Sequence, residues 1–131
     1  MLRQLTVTTR RRRELVDITA DVRRVIADAG VDEAVCLVAS THTSAAITLN
    51  ENADPAVPDD LLRAFADLLG DEDRFAHAEG NSGAHALASL VGPSVLLPVA
   101  GGKPVLGTWQ AVYLCEFDGP RSRTVVIQLL S

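Results

Sequence analysis

The sequence predicts a single α+β domain over residues 1–131, with a mostly antiparallel mixed sheet and two to three helices. Two observations carry this expectation. The strand-like runs toward the C-terminus are joined by short links, which favours antiparallel pairing. Helical and strand segments also follow one another without a regular βαβ rhythm, which speaks against a doubly wound parallel sheet. The length is that of one domain enclosing one core, and no repeat, low-complexity tract or linker divides it.

Each element has its own signal. Leu5 and Val7 alternate with Thr6 and Thr8, the period of a half-buried strand, and Leu15–Ile18 gives a short second one. Thr19 is placed as a helix N-cap, Val22, Val25, Ile26 and Ala29 follow at helical spacing, and Gly30 stops the helix. Ala34–Ala39 and Ala45–Leu49 are apolar runs of strand length. After a turn at Asn52–Pro55, Leu61, Leu62, Phe65, Leu68 and Leu69 mark an amphipathic helix ending at Gly70, with Asp59 and Asp60 near its start. Residues 81–90 form a short alanine-rich helix. Strands follow at Val95–Val99, Lys103–Leu106, Gln110–Phe117 and Thr124–Leu130, with Gly101-Gly102 as a hairpin turn.

Aromatic residues make up only 4% of the chain, so its core is to be built from Val, Leu, Ile and Ala. The net charge of −5 gives no general attraction for nucleic acid or for anionic membranes. No apolar run approaches the ~18–20 residues of a membrane helix, and the N-terminus does not resemble a signal peptide, so a cytoplasmic protein is expected. The run Arg10–Arg13 departs from the acidic balance; it suits a solvated turn between two strands better than a phosphate-binding arm. Cys36 and Cys115 lie in apolar runs without CxxC spacing, as expected of buried reduced thiols.

The sharpest chemical signal is the set of three histidines, His42, His77 and His85, all outside the strand-like apolar runs. Neutral imidazole is a common metal ligand, and three such ligands leave a coordination position open. The spacing matches no compact metal motif, so three unrelated histidines are the competing interpretation. Glu51, at a strand end, is a candidate general base or an exposed turn carboxylate. Trp109 either packs in the core or walls a pocket, with Gln110 beside it. Arg121 and Arg123 alternate and would point the same way if extended, either toward a phosphate or carboxylate of a ligand or toward Asp118 and Glu116. No GxGxxG, Walker, GxSxG or CxxC motif is present.

Four runs together carry a resemblance. They are Thr41-His42-Thr43-Ser44 through Leu49-Asn50-Glu51-Asn52-Ala53-Asp54; His77-Ala78-Glu79-Gly80-Asn81-Ser82-Gly83-Ala84-His85; Leu90-Val91-Gly92-Pro93-Ser94 followed by Pro98 and Leu106-Gly107-Thr108-Trp109-Gln110; and Glu116-Phe117-Asp118-Gly119-Pro120-Arg121-Ser122-Arg123. In this order they resemble the YjbQ-like family, also called the secondary thiamine-phosphate synthase family. The resemblance implies a small α+β homotrimer and a site where His42, His77 and His85 converge around a metal or an anion, with a divalent metal, zinc or magnesium, as the expected cofactor. It also implies a secondary activity joining hydroxymethylpyrimidine diphosphate to a thiazole phosphate with release of diphosphate; the alternatives are a metal-dependent hydrolase of a small phosphorylated or ester substrate and a non-catalytic protein that binds a small anion or metal. On that basis His42 and Glu51 are expected to be catalytic, and Asn81, Trp109, Gln110, Arg121 and Arg123 to hold a small phosphorylated substrate. The chain departs from the pattern at Gly80, where many members carry aspartate; the role of that carboxylate would pass to Glu79, Glu51 or water.

Overall fold

The computed structural model describes residues 1–70, 74–77 and 79–131. The elements are β1 (Leu2–Thr8), β2 (Glu14–Asp17), α1 (Thr19–Ala29), β3 (Ala34–Ser40), β4 (Ala45–Glu51), α2 (Ala56–Leu69), α3 (Ser82–Val91), β5 (Ser94–Ala100), β6 (Lys103–Pro104), β7 (Gln110–Glu116) and β8 (Ser122–Leu130). They form two sheets, β1-β8-β3-β5-β6 and β2-β7-β4. Every strand pairing among the described residues is antiparallel.

Short links do not make every late strand a hairpin partner of the next. β5 pairs with β6, but β7 joins β2 and β4, while β8 lies between β1 and β3. The reason is burial. Ala111–Glu116 of β7 are buried without alternation, so this strand needs cover on both faces. β8 alternates instead, burying Arg123, Val125, Ile127 and Leu129. The link between β7 and β8 therefore carries the chain from one sheet to the other.

One face of β4 and β7 presents Ala45, Ile47, Val112 and Leu114 to the larger sheet and to Val22 and Ile26 of α1. The opposite face presents Ala46, Cys115 and Phe117 to α2 and α3, through Leu69, Ala84, Leu87 and Ala88. Phe65 meets Phe117 edge to face, with ring centroids 5.8 Å apart. Cys36 and Cys115 are free and buried, and burial pushes their thiol pKa values up to about 11 and about 12.

Thr19 does not cap α1. Ile18 occupies the cap, and the Thr19 hydroxyl accepts the Val112 N–H at 2.9 Å. β2 ends at Asp17, opposite Tyr113, so this hydroxyl and the Ile18 N–H, which donates to the Val112 carbonyl at 2.9 Å, extend the ladder past the last paired residue. Gly30 ends the helix in the left-handed conformation, at φ 67°. No described helix is long and apolar enough to cross a membrane.

Candidate functional site

The inward-facing positions of β8 and β7 meet a polar pair at one end of the interior. Arg123 keeps the phase of Val125, Ile127 and Leu129, and Glu116 that of Val112 and Leu114, so both side chains point between the sheets. The Arg123 guanidinium binds both Glu116 carboxylate oxygens, with Nε at 2.9 and 3.1 Å. It also donates to Ser44 Oγ at 3.0 Å. Thr9 Oγ1 donates to Glu116 Oε1 at 2.7 Å and the Asp118 N–H to Oε2 at 3.1 Å. Burial alone would raise the Glu116 pKa; the bonds from Arg123, Thr9 and Asp118, with the Arg123 charge, bring it below the ordinary carboxylate value. Of the two directions open to Arg123 from its sequence, a ligand phosphate or the carboxylates nearby, its side chain takes the second: it is 3% exposed and holds Glu116.

His42 lies in the connection between β3 and β4. Its Nε2 accepts the Thr124 N–H at 2.8 Å, so the neutral ring carries its proton on Nδ1. Burial and then the Arg123 charge lower its pKa, with Glu116 opposing. His85, on α3, has Nδ1 3.0 Å from the Thr43 carbonyl oxygen. That oxygen can only accept, so Nδ1 donates and the lone pair is left on Nε2. The His77 ring lies 5.6 Å from that of His85, with planes inclined at 61°. Glu79 stands beside His77, with Oε2 3.8 Å from Nε2. Gly80 follows in the left-handed conformation, at φ 70°.

His77 and His85 therefore form a pair, while His42 belongs to the adjoining hydrogen-bond framework. A three-histidine metal shell does not fit this donor set. A ligating nitrogen needs a free lone pair, and His42 has one nitrogen taken by Thr124 and the other carrying the proton. Among the described residues no three His, Cys, Asp or Glu side chains are grouped to hold a metal ion.

Asn81 joins this pair to the turn after β7. It occupies the N-cap of α3, its carbonyl accepts the His85 N–H at 3.3 Å, and its Nδ2 donates to Asp118 Oδ2 at 2.9 Å. Asn81 is buried, and its Oδ1 has no partner among the described residues. Arg121 binds the same turn, through Nε to the Asp118 carbonyl at 2.7 Å and Nη2 to Oδ2 at 3.0 Å. Burial would raise the Asp118 pKa, but the Asn81 and Arg121 bonds and the charges of Arg121 and Arg12 hold it below the ordinary value.

The remaining expected residues lie elsewhere in the chain. Glu51 pairs with Gln110 at one end of β4 and β7, whereas Ala45 pairs with Glu116 at the other. That separates them by roughly 20 Å, at ~3.3 Å per strand residue. Trp109 is 61% exposed and neither fills the core nor joins the histidine pair. Gln110, Asn52, Thr19 and Arg23 line a separate open cleft of ≈ 710 Å³. Within the chain Glu51, Trp109 and Gln110 thus stand apart from the histidines, and Glu79 is the carboxylate beside His77.

This architecture defines a small α+β protein with a polar site where the two sheets and α3 meet. A family model described as UPF0047 protein YjbQ-like matches residues 3–131, and the chain belongs to that family. It is 44% identical over 131 residues to UPF0047 protein YugU of Bacillus subtilis, covering 99% of both chains. It is 42% identical over 130 residues to UPF0047 protein MJ1081 of Methanocaldococcus jannaschii, covering 99% of this chain and 94% of the relative. Among solved structures, a YbjQ-like protein of unknown function from Sulfolobus solfataricus superposes with TM-score 0.95 at 33% identity, over 100% of this chain and 96% of the other. A YjbQ/UPF0047 family protein from Clostridium acetobutylicum gives 0.93 at 40% identity, over 98% and 99%.

Proposed function

We propose that the chain is a small-molecule enzyme acting on a phosphorylated substrate at the His77–His85 pair. The observation that carries this reading is the fixed tautomer of His85. Its Nδ1–H is bound to the Thr43 carbonyl at 3.0 Å, so Nε2 offers a lone pair beside a second imidazole. What sets His85 apart from His42, whose Nε2 is taken by the Thr124 N–H, is that its own Nε2 is left to meet a substrate or proton.

For the specific reaction the family resemblance supports one reading, in which the chain joins hydroxymethylpyrimidine diphosphate to a thiazole phosphate. The pyrimidine-methyl C–O bond breaks and its electron pair leaves with diphosphate. The thiazole nitrogen lone pair forms the new C–N bond and leaves a thiazolium cation. Such a step needs neutralisation of the departing charge more than it needs a strong nucleophile. His85 and His77 orient the substrate, and Asn81 fixes the start of α3 beneath them.

The test is an assay of purified protein with both phosphates, with and without added divalent cation. Formation of thiamine phosphate, lost in His85→Ala, is the expected result. Absence of product under both conditions overturns the reaction. Hydrolysis of a generic phosphate or ester that also depends on His85 would replace it with a hydrolase reading.

A further inference from the structure

A site that acts on one bond of a substrate also needs a place for the part that does not react. A pocket of ≈ 210 Å³ lies beside the histidine pair, lined by His42, Thr43, Ala45, Ala88, Ser89 and Pro93. We propose that this pocket takes an uncharged heteroaromatic ring whose nitrogen accepts the His42 Nδ1–H, which in the proposed reaction is the pyrimidine ring. The choice of ring rests on the reading of the neighbouring histidines as the site of that reaction.

Two connections join the pocket to the pair. His85, Ala88 and Ser89 stand at i, i+3 and i+4 on α3, so they share one face of the helix. Thr43, which lines the pocket, gives its carbonyl oxygen to His85 Nδ1 at 3.0 Å. The walls are also fixed before a ligand arrives. The His42 N–H donates to Ser40 Oγ at 3.1 Å, and the Ser40 N–H to the Pro93 carbonyl at 2.8 Å. The Ile47 N–H donates to the Gly92 carbonyl at 3.1 Å. These bonds tie the connection between β3 and β4 to the link from α3 into β5, and a preformed site gives up less entropy on binding.

The lining selects the occupant. Ala45, Ala88 and Pro93 offer apolar contact and no side-chain donor, and no arginine or lysine lines the pocket, so it suits an uncharged group better than a phosphate. Its volume lies below the roughly 300–1,000 Å³ of pockets that hold drug-sized ligands, which fits one ring with small substituents. One polar group has a fixed role. The Thr124 N–H occupies His42 Nε2, which places the ring proton on Nδ1. That Nδ1–H has no acceptor among the described residues and, unlike Asn81 Oδ1, is not enclosed. A donor held this way calls for a lone pair on the ligand. The thiazole nitrogen spends its lone pair on the new C–N bond, whereas the pyrimidine nitrogens take no part in bond making. The pyrimidine is therefore the ring that matches the pocket.

The test is a proton–nitrogen NMR titration of the full chain with hydroxymethylpyrimidine and, in parallel, with benzyl alcohol, which has a similar shape and no ring nitrogen. Hydroxymethylpyrimidine is expected to shift the signals of His42, Ala45 and Ser89, and benzyl alcohol to bind about threefold to tenfold more weakly, the usual loss for one neutral hydrogen bond. Ser89 is exposed, so Ser89→Leu keeps the fold while reaching over the pocket, and it is expected to abolish the shifts. No shifts, shifts confined to other residues, equal affinity for benzyl alcohol, or unchanged binding in Ser89→Leu overturns the proposal. Thiamine phosphate formation by Ser89→Leu with an unchanged KM for the pyrimidine diphosphate also overturns it, and leaves the reaction standing. Ring binding at His42 without turnover sinks the reaction and leaves the pocket standing.

Discussion

Arg123 of β8 and Glu116 of β7 face each other between the two sheets, their side chains 3% and 0% exposed. Each is inaccessible to water, and each satisfies the other through both carboxylate oxygens. The pair connects the sheets at the end where the histidines lie, because Ser44 and Thr9 also bond into it.

Breaking this pair from one side should therefore damage stability. Arg123→Ala leaves an uncompensated buried carboxylate, with an expected loss of about 3–5 kcal/mol in urea denaturation. The double variant Glu116→Leu with Arg123→Met removes both charges and should recover most of that loss. If Arg123→Ala proves neutral to stability, the pair does not hold the sheets together.

Acid should weaken the fold in two stages. The His42 pKa is lowered from 6.5 by burial and the Arg123 charge, so the folded state favours the neutral ring. Its contribution is complete above the unfolded value and fades as pH falls toward the lower folded one. Glu116 and Asp118 are lowered from 4.5 and 3.8, so their contributions are present above those values and are lost as pH falls through the folded ones. The urea midpoint should be flat near pH 7, decline gently below about 6.5 and fall steeply below about 4.5. Glu116→Gln should flatten the second decline; an unchanged acid limb would show that Glu116 does not cause it.

The histidines should separate by role. His42→Ala removes the acceptor for the Thr124 N–H, which lies part-buried, and should cost about 1–3 kcal/mol of stability. His85→Ala removes a more exposed contact, should cost only about 0.5–1.5 kcal/mol, and should abolish turnover. Equal stability losses, or a His85 variant with full activity, would contradict this division.

Leu2, Val35, Leu96 and Leu130 are exposed on the outer face of the larger sheet, the surface through which assembly is expected. Val35 stands opposite both Pro98 and Leu130, so these side chains form a continuous apolar surface. A homotrimer burying that surface is expected in light scattering at micromolar concentration, with Leu96→Glu shifting it to monomer. A wild-type chain that remains monomeric would remove the expectation.

Periodicity, caps and turns are local properties, and the amino-acid order alone determined most elements, the single α+β domain and the loop or helix that carries each histidine. The order also marks Arg123 and Glu116 as inward-facing, since both share the phase of the buried residues on their strands. Only the tertiary structure decided that β7 and β8 enter different sheets, because a short link serves a hairpin and a change of sheet equally well, and burial on both faces of β7 chose between them. The same applies to the site. Chain order puts His42 among the histidines, but the Thr124 amide that occupies its nitrogen arrives from β8, at the far end of the sequence. Hydrogen bonds between distant segments depend on how the sheets close, and that closure joined the arginine loop to Gly119 while setting Glu51 at the other end of its strand.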